Sequence, residues 1–217
     1  FEQTDEVVNI DEPRIYFGLE TNDTVVTNSN SKKEFDYPTD DAVNNTENTY
    51  DGDAGLKVNL LDRIIIAIKE KDAKLAFSGN VTSESRIIPN RNIIQRAKTI
   101  MPYLTYDNDP YMVITNEGKL VWVLDAYTTS NEYPYSQRTI LENNGIIKKE
   151  INYIRNSVKV IIDAYSGDVT FYRTDKTDPI ANSYKNMYPD LFSDEEIPED
   201  ISSHFVYPKY LYEIQSE

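Results

Sequence analysis

Two stretches that end in the same three residues decide the fold: Val121-Trp122-Val123-Leu124-Asp125-Ala126-Tyr127 and Lys159-Val160-Ile161-Ile162-Asp163-Ala164-Tyr165. Both are rich in β-branched and aromatic residues, which are typical of strands. Each is followed by a turn, and Ser166-Gly167-Asp168 forms the second one. The repeat predicts two hairpins in one antiparallel sheet, or two duplicated half-domains.

Further strands are predicted on both sides of the repeat, wherever apolar residues alternate with polar ones. The predicted strands are 14–19, 24–27, 111–115, 120–127, 151–155, 158–165 and 169–174. The first two are expected to pair as an N-terminal hairpin, and the next two pair about Asn116-Glu117-Gly118. Asn143-Asn144-Gly145 marks another turn.

Helical spacing of apolar residues appears in three places. The first stripe comprises Leu60, Leu61, Ile64, Ile65 and Ile68, and continues to Leu75 and Ala76. The second opens at Pro89-Asn90 and comprises Ile93, Ile94, Ala97, Ile100, Met101 and Leu104. The third comprises Ile180, Tyr184, Met187 and Leu191, and Pro198 and Pro208 mark later helix starts. Helices and strands in this order predict an α+β fold, with helices packed on a mostly antiparallel sheet.

The chain of 217 residues is long enough for one large domain or two small ones. Residues 28–55 are rich in Asn, Asp, Ser and Thr and are predicted to form a long loop, docked by Phe35, Tyr37 and Tyr50. The sequence therefore predicts three parts. Residues 1–55 form an N-terminal hairpin and polar loop, 56–177 a domain of helices and antiparallel sheet, and 178–217 a C-terminal helical segment.

Charge argues against two classes of partner. The chain has 22 basic and 37 acidic residues, a net charge of −15. Nucleic-acid binding requires a basic patch, and none is visible in the sequence. The same excess of acid opposes docking onto anionic lipid. We therefore expect no nucleic-acid partner and no docking of this segment onto anionic lipid.

Composition also limits the chemistry. The chain has no Cys, which excludes disulfides and thiolate sites, and a single His, His204. The sequence lacks the glycine-rich motifs that bind nucleotide phosphates, the H-E-x-x-H zinc motif and the G-x-S-x-G nucleophile motif. We expect no catalytic residues of these classes and no cofactor.

Two acidic clusters are the candidate metal ligands. Asp51 and Asp53 flank Gly52, and Asp107 and Asp109 flank Asn108. Closely spaced carboxylate and amide oxygens in a loop are the ligands that calcium prefers. Neither cluster has the full spacing of an EF-hand loop, and Asp and Asn also cap turns by binding nearby backbone amides. Both interpretations, calcium ligands and turn caps, stay open.

Asp125 and Asp163 end equivalent strands of the repeat. Two carboxylates roughly 5 to 9 Å apart are able to act as acid and base in glycoside hydrolysis. The pair therefore predicts, as an alternative function, a hydrolase that uses paired carboxylates.

Several strings along the chain together resemble one protein family. They are Arg14–Gly18, Lys33–Pro38, Leu104–Tyr111, Asp125–Ser130, Tyr133–Ser136, Asn152–Lys159, Asp163–Val169, Tyr188–Phe192 and Tyr207–Leu211. The chain is similar in these strings to the uncharacterised protein family numbered 0182 of bacterial integral membrane proteins. The resemblance implies several N-terminal transmembrane helices and a large extracytoplasmic region, with this fragment on the extracellular side of the cell membrane. It implies no catalytic residues.

Residues 90–174 also resemble a PepSY-type module, a small helix-on-sheet domain of exported proteins. The resemblance implies a helix-and-hairpin unit that is present twice, and a role in peptidase inhibition or regulation. A resemblance of fold alone identifies no binding or catalytic residues.

Three hypotheses for function follow. The first is a non-catalytic binding or regulatory module for a protein, a peptide or an envelope polymer, with exposed Tyr residues in 127–135 and 207–212. The second is a hydrolase that acts on the cell envelope through the carboxylates of Asp125 and Asp163. The third is a surface domain whose structure calcium stabilises.

The calcium hypothesis makes a direct prediction for thermal melting of the purified chain. At about a hundred times its dissociation constant, a specifically bound ion adds roughly 2.7 kcal/mol of stability. For a chain of this size, we expect calcium to raise Tm by about 5–10 °C relative to EDTA. The double variants D51A/D53A and D107A/D109A identify the cluster, because only loss of the true ligands abolishes the shift. An equal Tm in calcium and in EDTA contradicts the hypothesis.

Overall fold

A computed structural model describes residues 10–30, 34–38, 45–57, 59–143 and 147–216. The chain forms two compact units. The sheet unit comprises the residues up to Gly18 and those from Ile93 onward, and the small unit is Leu19–Asn92. These bounds differ from the predicted ones at 55–56 and 177–178. The predicted turn at 144–145 and parts of the predicted loop, 31–33 and 39–44, lie outside the described residues.

The described residues of the small unit form five short strands and two helices. They are β1 (Val25–Thr27), β2 (Glu34–Pro38), β3 (Asn45–Asn48), β4 (Leu56–Lys57), α1 (Leu60–Glu70), α2 (Ala73–Phe77) and β5 (Arg86–Ile88). β5 lies between β1 and β4 in an antiparallel sheet, and β2 pairs with β3. The predicted loop 28–55 thus contains two strands. Tyr50 is buried, as expected, and its hydroxyl accepts a hydrogen bond from the Ala54 amide.

α1 begins and ends where local chemistry requires. Asn59 and Asp62 form a reciprocal capping box at its start, which satisfies two backbone N–H groups. Lys71 takes the left-handed conformation with φ 56° and closes the last turn. The predicted apolar stripe is therefore divided, because Leu75 and Ala76 lie on α2.

The sheet unit contains the remaining elements. They are α3 (Ile93–Ile100), β6 (Thr105–Tyr106), β7 (Tyr111–Ile114), β8 (Leu120–Ser130), β9 (Thr139–Asn143), β10 (Ile147–Ile151), β11 (Tyr153–Asp163), β12 (Val169–Arg173), α4 (Pro179–Met187), β13 (Phe192–Ser193), α5 (Glu199–Ser202) and α6 (Lys209–Ser216). The main sheet has the order β13-β12-β11-β8-β6, and β7 also pairs with β8. Its strands are antiparallel except that β13 runs parallel to β12. The predicted α+β class is confirmed. The described part of the chain has no helix of sufficient length and apolar character to cross a membrane.

The two copies of the repeat lie side by side at the centre of this sheet. β8 and β11 are antiparallel neighbours, with Asp125 opposite Lys159 and Val121 opposite Asp163. Between them, the described residues form the antiparallel pair β9–β10 and no second helix. The repeat therefore builds one sheet, and a duplicated helix-and-hairpin unit is not confirmed.

Both faces of the sheet are covered, as the run of buried residues along β8 requires. On one face, Val121, Val123 and Ile161 pack with Ile201 of α5 and with Phe205. We call this the α5 face.

The opposite face carries Leu124 and Ala126, which are fully buried. Tyr106 is paired with Ala126, and its hydroxyl lies 3.1 Å from the carbonyl oxygen of Ala97 and 2.6 Å from that of Met101. These contacts hold the C-terminal end of α3 on this face, which we call the α3 face.

The predicted N-terminal hairpin is wrong. β1 pairs with β5, and residues 14–19 form no strand. The amides of Tyr16 and Phe17 instead donate to the carbonyl oxygen of Ala164, at 2.8 and 2.9 Å. Trp122 Nε1 donates to the carbonyl oxygen of Phe17. Hydrogen bonds to distant residues therefore take up the backbone groups that a local hairpin would have used.

Gly167 is predicted to tolerate no side chain. It has φ +73°, and an added Cβ would lie 2.4 Å from Cζ of the buried Phe17 ring. We expect Gly167→Ala to lower the unfolding free energy of the sheet unit by about 2–4 kcal/mol, because backbone strain and overpacking add.

Gly79→Ala is the matched control, because an added Cβ meets nothing within 4 Å. Its effect should stay within about 0.5 kcal/mol. Urea unfolding of both variants measures the difference, and equal stabilities would show that the turn accepts a side chain.

Candidate functional site

A buried ion pair lies at the centre of the α5 face. Asp125 and Lys159 are cross-strand partners, 5% and 4% exposed, and the ammonium group donates to the carboxylate. Lys159 Nζ also lies 4.7 Å from the centroid of the Phe205 ring. Burial raises the pKa of the Asp125 carboxyl, and the Lys159 ammonium opposes that rise. The pair stabilises one register of β8 and β11, because any slip would leave both charges buried without a partner.

Asp107 belongs to the same face and is also buried. One carboxylate oxygen accepts from the hydroxyl of Tyr127 at 2.6 Å, and the other accepts from the amides of Asn108 and Asp109. The ring of Tyr210 stacks on Tyr127, with centroids 5.6 Å apart. Burial raises the pKa of Tyr210 to about 12. Tyr127 keeps its proton for the same reason, since burial and Asp107 raise its pKa well above the usual range.

The four predicted calcium ligands lie in two different units. In the small unit, Asp51 and Asp53 are exposed, and Asp53 is ion-paired with Arg86 at 3.4 Å. In the sheet unit, Asp109 lies 3.9 Å from Lys209. Within the described ranges, no group of three or more His, Cys, Asp or Glu side chains is arranged to hold a metal ion. Calcium binding stays a prediction.

The paired carboxylates of the hydrolase hypothesis do not meet. Asp125 is opposite Lys159, and Asp163 lies four residues further along β11. This offset separates the two by about 13 Å along the strands, which exceeds the spacing for glycoside hydrolysis. Asp163 instead caps the turn that follows, because its Oδ1 accepts from the amides of Tyr165 and Ser166 at 2.8 Å.

A third buried carboxylate, which sequence analysis missed, anchors α4 on the α3 face. Asp178 is fully buried and accepts from the hydroxyls of Thr128, Ser157 and Tyr153 and from the Ile180 amide. Burial alone would raise the pKa of Asp178, but these hydrogen bonds outweigh it and lower the pKa. The signal in the sequence was Asp178-Pro179, a helix cap followed by proline in the first turn.

A cleft lies at the edge of the sheet, between the end of β12 and the residues that follow β13. Its lining residues, which define the edge cleft, are Tyr172, Arg173, Thr174, Lys176, Ser193, Asp194, Glu195, Glu196 and Ile197. β13 pairs with only two residues of β12, and the chain leaves the sheet edge after Ser193. The resulting cavity has a volume of about 350 Å³, within the ~300–1,000 Å³ that is typical of small-ligand sites.

Side chains of α4 hold the charged groups of the edge cleft. Arg173 Nη1 donates to Asn182 Oδ1 at 2.7 Å, and Lys185 Nζ lies 2.8 Å from Asp194 Oδ1. The Lys185 hydrogen bond lowers the pKa of Asp194. Arg173 Nε is buried and donates to no acceptor among the described residues. The cleft is therefore lined by an arginine whose guanidinium retains one buried, unmatched donor.

Tyr residues are exposed at the predicted places only in part. Tyr133, Tyr135, Tyr207 and Tyr212 are exposed, whereas Tyr127 and Tyr210 of α6 are buried against each other. A further group was missed, since Tyr103 stacks on both Tyr184 and Tyr188 with centroids 6.0 and 6.2 Å apart. Its members come from distant positions, so no local pattern indicates it.

The buried ion pair makes a sharp prediction for stability. Lys159→Met leaves Asp125 charged and buried without a partner, and should cost about 3–5 kcal/mol at pH 7. The double variant D125L/K159M should recover most of this loss, because it removes both charges. Without Lys159, the pKa of Asp125 in the folded state rises further above its unfolded value of about 3.9. The cost of K159M should therefore shrink as pH falls from 7 toward 4, where Asp125 becomes protonated.

Urea unfolding at pH 7 and pH 5 measures these effects. Arg138→Met is the control, because its ion pair with Glu150 is exposed and should contribute less than about 1 kcal/mol. If K159M costs no more than R138M, the pair does not stabilise the register.

Comparison with known proteins gives the family. Residues 2–217 match the model of the Uncharacterised protein family (UPF0182). A UPF0182 protein of Clostridium tetani is 53% identical over 207 residues, which cover 95% of this chain and 22% of that protein. UPF0182 proteins of Clostridium botulinum (strain Hall) and Clostridium acetobutylicum are 49% and 50% identical, over 97% and 96% of this chain and 22% of each relative.

The chain thus spans about a fifth of the length of the curated relatives it matches. No solved structure matches it. On the family model and these relatives, the chain belongs to the uncharacterised protein family UPF0182.

Proposed function

We propose that this chain is a non-catalytic binding or regulatory module on the extracellular side of a bacterial membrane protein, and that the edge cleft receives a peptide with a free carboxylate. The observation that carries the proposal is Arg173, whose buried Nε–H has no acceptor within the described structure. An unmatched donor costs about 1–3 kcal/mol, more when it is charged. A ligand carboxylate would offset that cost.

The charges of the edge cleft match a peptide that has both termini. Arg173 and Lys176 supply positive charge for a carboxylate, and Glu195 and Glu196 supply negative charge for an ammonium group. Asp194 is already paired with Lys185 and is not available in the same way. This arrangement favours a zwitterionic ligand over a polyanion.

The titration of the lining residues supports binding without catalysis. Burial raises the pKa of Tyr172, and Lys185 lowers that of Asp194. Both shifts move the pKa away from neutral pH. General acid–base catalysis is most efficient when the pKa lies near the working pH, so neither group suits proton transfer there.

The membrane and extracellular parts of the proposal rest on the family resemblance. Because the chain spans 22% of its relatives, about four-fifths of their length lies outside the matched part. In this proposal, the transmembrane helices lie in that remainder.

Nuclear magnetic resonance tests the edge cleft directly. The probes are trialanine with a free carboxylate and trialanine amide, titrated into the ¹⁵N-labelled chain while the arginine Nε–H resonances are followed. We expect the free acid to shift the Arg173 resonance in a saturable manner, and the amide to leave it unchanged. Arg173→Met should weaken binding at least about tenfold, because a charged hydrogen bond is lost.

Two controls separate binding from misfolding. Arg138→Met removes an exposed arginine elsewhere in the sheet unit and should leave peptide affinity unchanged. Lys176→Met removes the second, exposed cation of the cleft and should weaken binding even if R173M is unstable. Equal shifts with the acid and the amide, or no shift with either, would overturn the carboxylate site.

A further inference from the structure

The helix α1 of the small unit carries its apolar side outward. Leu60, Leu61, Ile65 and Ile68 are 62, 71, 64 and 73% exposed, although their spacing is that of a core-facing helix. The buried residue of this helix is Ala67. The amphipathic pattern was predicted from sequence, but the orientation is the reverse of the usual one.

Fixed hydrogen bonds maintain this orientation. Arg63 lies on the inner side of α1, and its guanidinium donates to the carbonyl oxygens of Leu75, Ser78 and Val81 at 3.2, 2.7 and 3.3 Å. Rotating the apolar stripe inward would break all three hydrogen bonds from the Arg63 guanidinium. The three carbonyl groups that accept them would then need other donors. The outward face is therefore a stable feature of the small unit.

A face of four such side chains exposes on the order of 500 Å² of apolar surface, as large as the largest patch of a typical monomer. Phe77, at the end of α2, is 82% exposed and extends the apolar character of this part of the unit. Patches of this size are often functional.

The size and charge of the face indicate what covers it. A stable interface with a separate molecule buries about 800 Å² on each partner, so this face is small for a second copy or a free partner. Lys57 and Lys69 are paired with Glu84 and Glu70, and although Lys71 and Lys74 are also exposed, the chain's net charge of −15 opposes docking onto an anionic lipid surface. A segment of the same polypeptide needs less area, because the covalent link raises its effective concentration.

We propose that an amphipathic helix from outside residues 1–217, in the same and longer polypeptide, docks on the outward face of α1. The relatives provide room for such a segment, since the matched part is 22% of their length. Leu61, Ile65 and Ile68 stand at i, i+4 and i+7, the spacing along which two helices pack their side-chain ridges. This inference is independent of the edge cleft, which lies in the other unit.

Thiol accessibility tests the proposal, because the chain has no Cys of its own. Ile65→Cys places a small apolar thiol on the outward face, and Lys74→Cys places a control thiol on an exposed position of α2. Each variant is made in the 217-residue chain and in the full-length polypeptide, and the rate of modification by maleimide-polyethylene glycol is measured. The full-length parent without the new thiol provides the background.

We expect both thiols to react at similar rates in the 217-residue chain. In the full-length polypeptide, the thiol of I65C should react at least tenfold more slowly, and that of K74C should keep its rate. Ile68→Cys should repeat the result of I65C and guards against a local effect of one substitution.

Three results would overturn the proposal. In the first, I65C reacts equally fast in both proteins, so the face is open. In the second, I65C is already protected in the 217-residue chain, with the mass of a dimer in light scattering, so a second copy covers the face. In the third, protection appears only when phosphatidylcholine and phosphatidylglycerol vesicles are added, so lipid covers it.

Discussion

Two opposite charges that are buried side by side, Asp125 and Lys159, constrain the rest of the sheet unit. A strand that is buried on both faces reads as an almost continuous apolar run, and such runs specify their register weakly. Each buried charge needs its partner, so the pair distinguishes one alignment of β8 and β11 from those shifted along the strands. The apolar residues then supply the stabilisation, and the ion pair supplies the specificity.

The position of the edge cleft follows from that register. Once β8 and β11 are aligned, Thr128 and Ser157 lie together on the α3 face, where both donate to Asp178. Asp178 caps α4, so the same carboxylate fixes where this helix begins on the sheet. α4 in turn carries Asn182, which holds Arg173 at the edge. A polar chain of contacts thus connects the centre of the sheet to its rim.

Sequence patterns predict the elements that residues close in sequence form together. They miss the contacts between residues that lie far apart along the chain. The hairpin of β7 and β8 was predicted because alternation and the turn at 116–118 lie in one short stretch. The N-terminal hairpin was wrong because Ala164 and Trp122, far along the chain, bind the backbone of residues 16 and 17.

The same limit applies to the sites. The edge cleft joins residues 172–174, Lys176 and residues 193–197, and no spacing in the sequence indicates that they meet. For α1, periodicity predicts an apolar stripe but not whether the stripe faces the core or the solvent. The three carbonyl groups that accept from Arg63 belong to α2 and to the residues after it, which lie further along the chain.

Three buried donors of the sheet unit have no acceptor among the described residues: Asn156 Nδ2, Arg173 Nε and the hydroxyl of Tyr210. The last two differ in what their burial indicates. The hydroxyl of Tyr210, on α6, is buried, and burial raises its pKa. The ring of the same residue stacks on Tyr127. The free-energy cost of leaving this hydroxyl without an acceptor accompanies the packing of a large aromatic side chain. Arg173 makes no stacking contact of that kind in the described structure, and it borders a cavity of about 350 Å³. Asn182 satisfies Nη1 of this guanidinium, but its buried Nε–H keeps its own desolvation cost unless an acceptor reaches it, which is why Arg173, and not Tyr210, indicates a ligand.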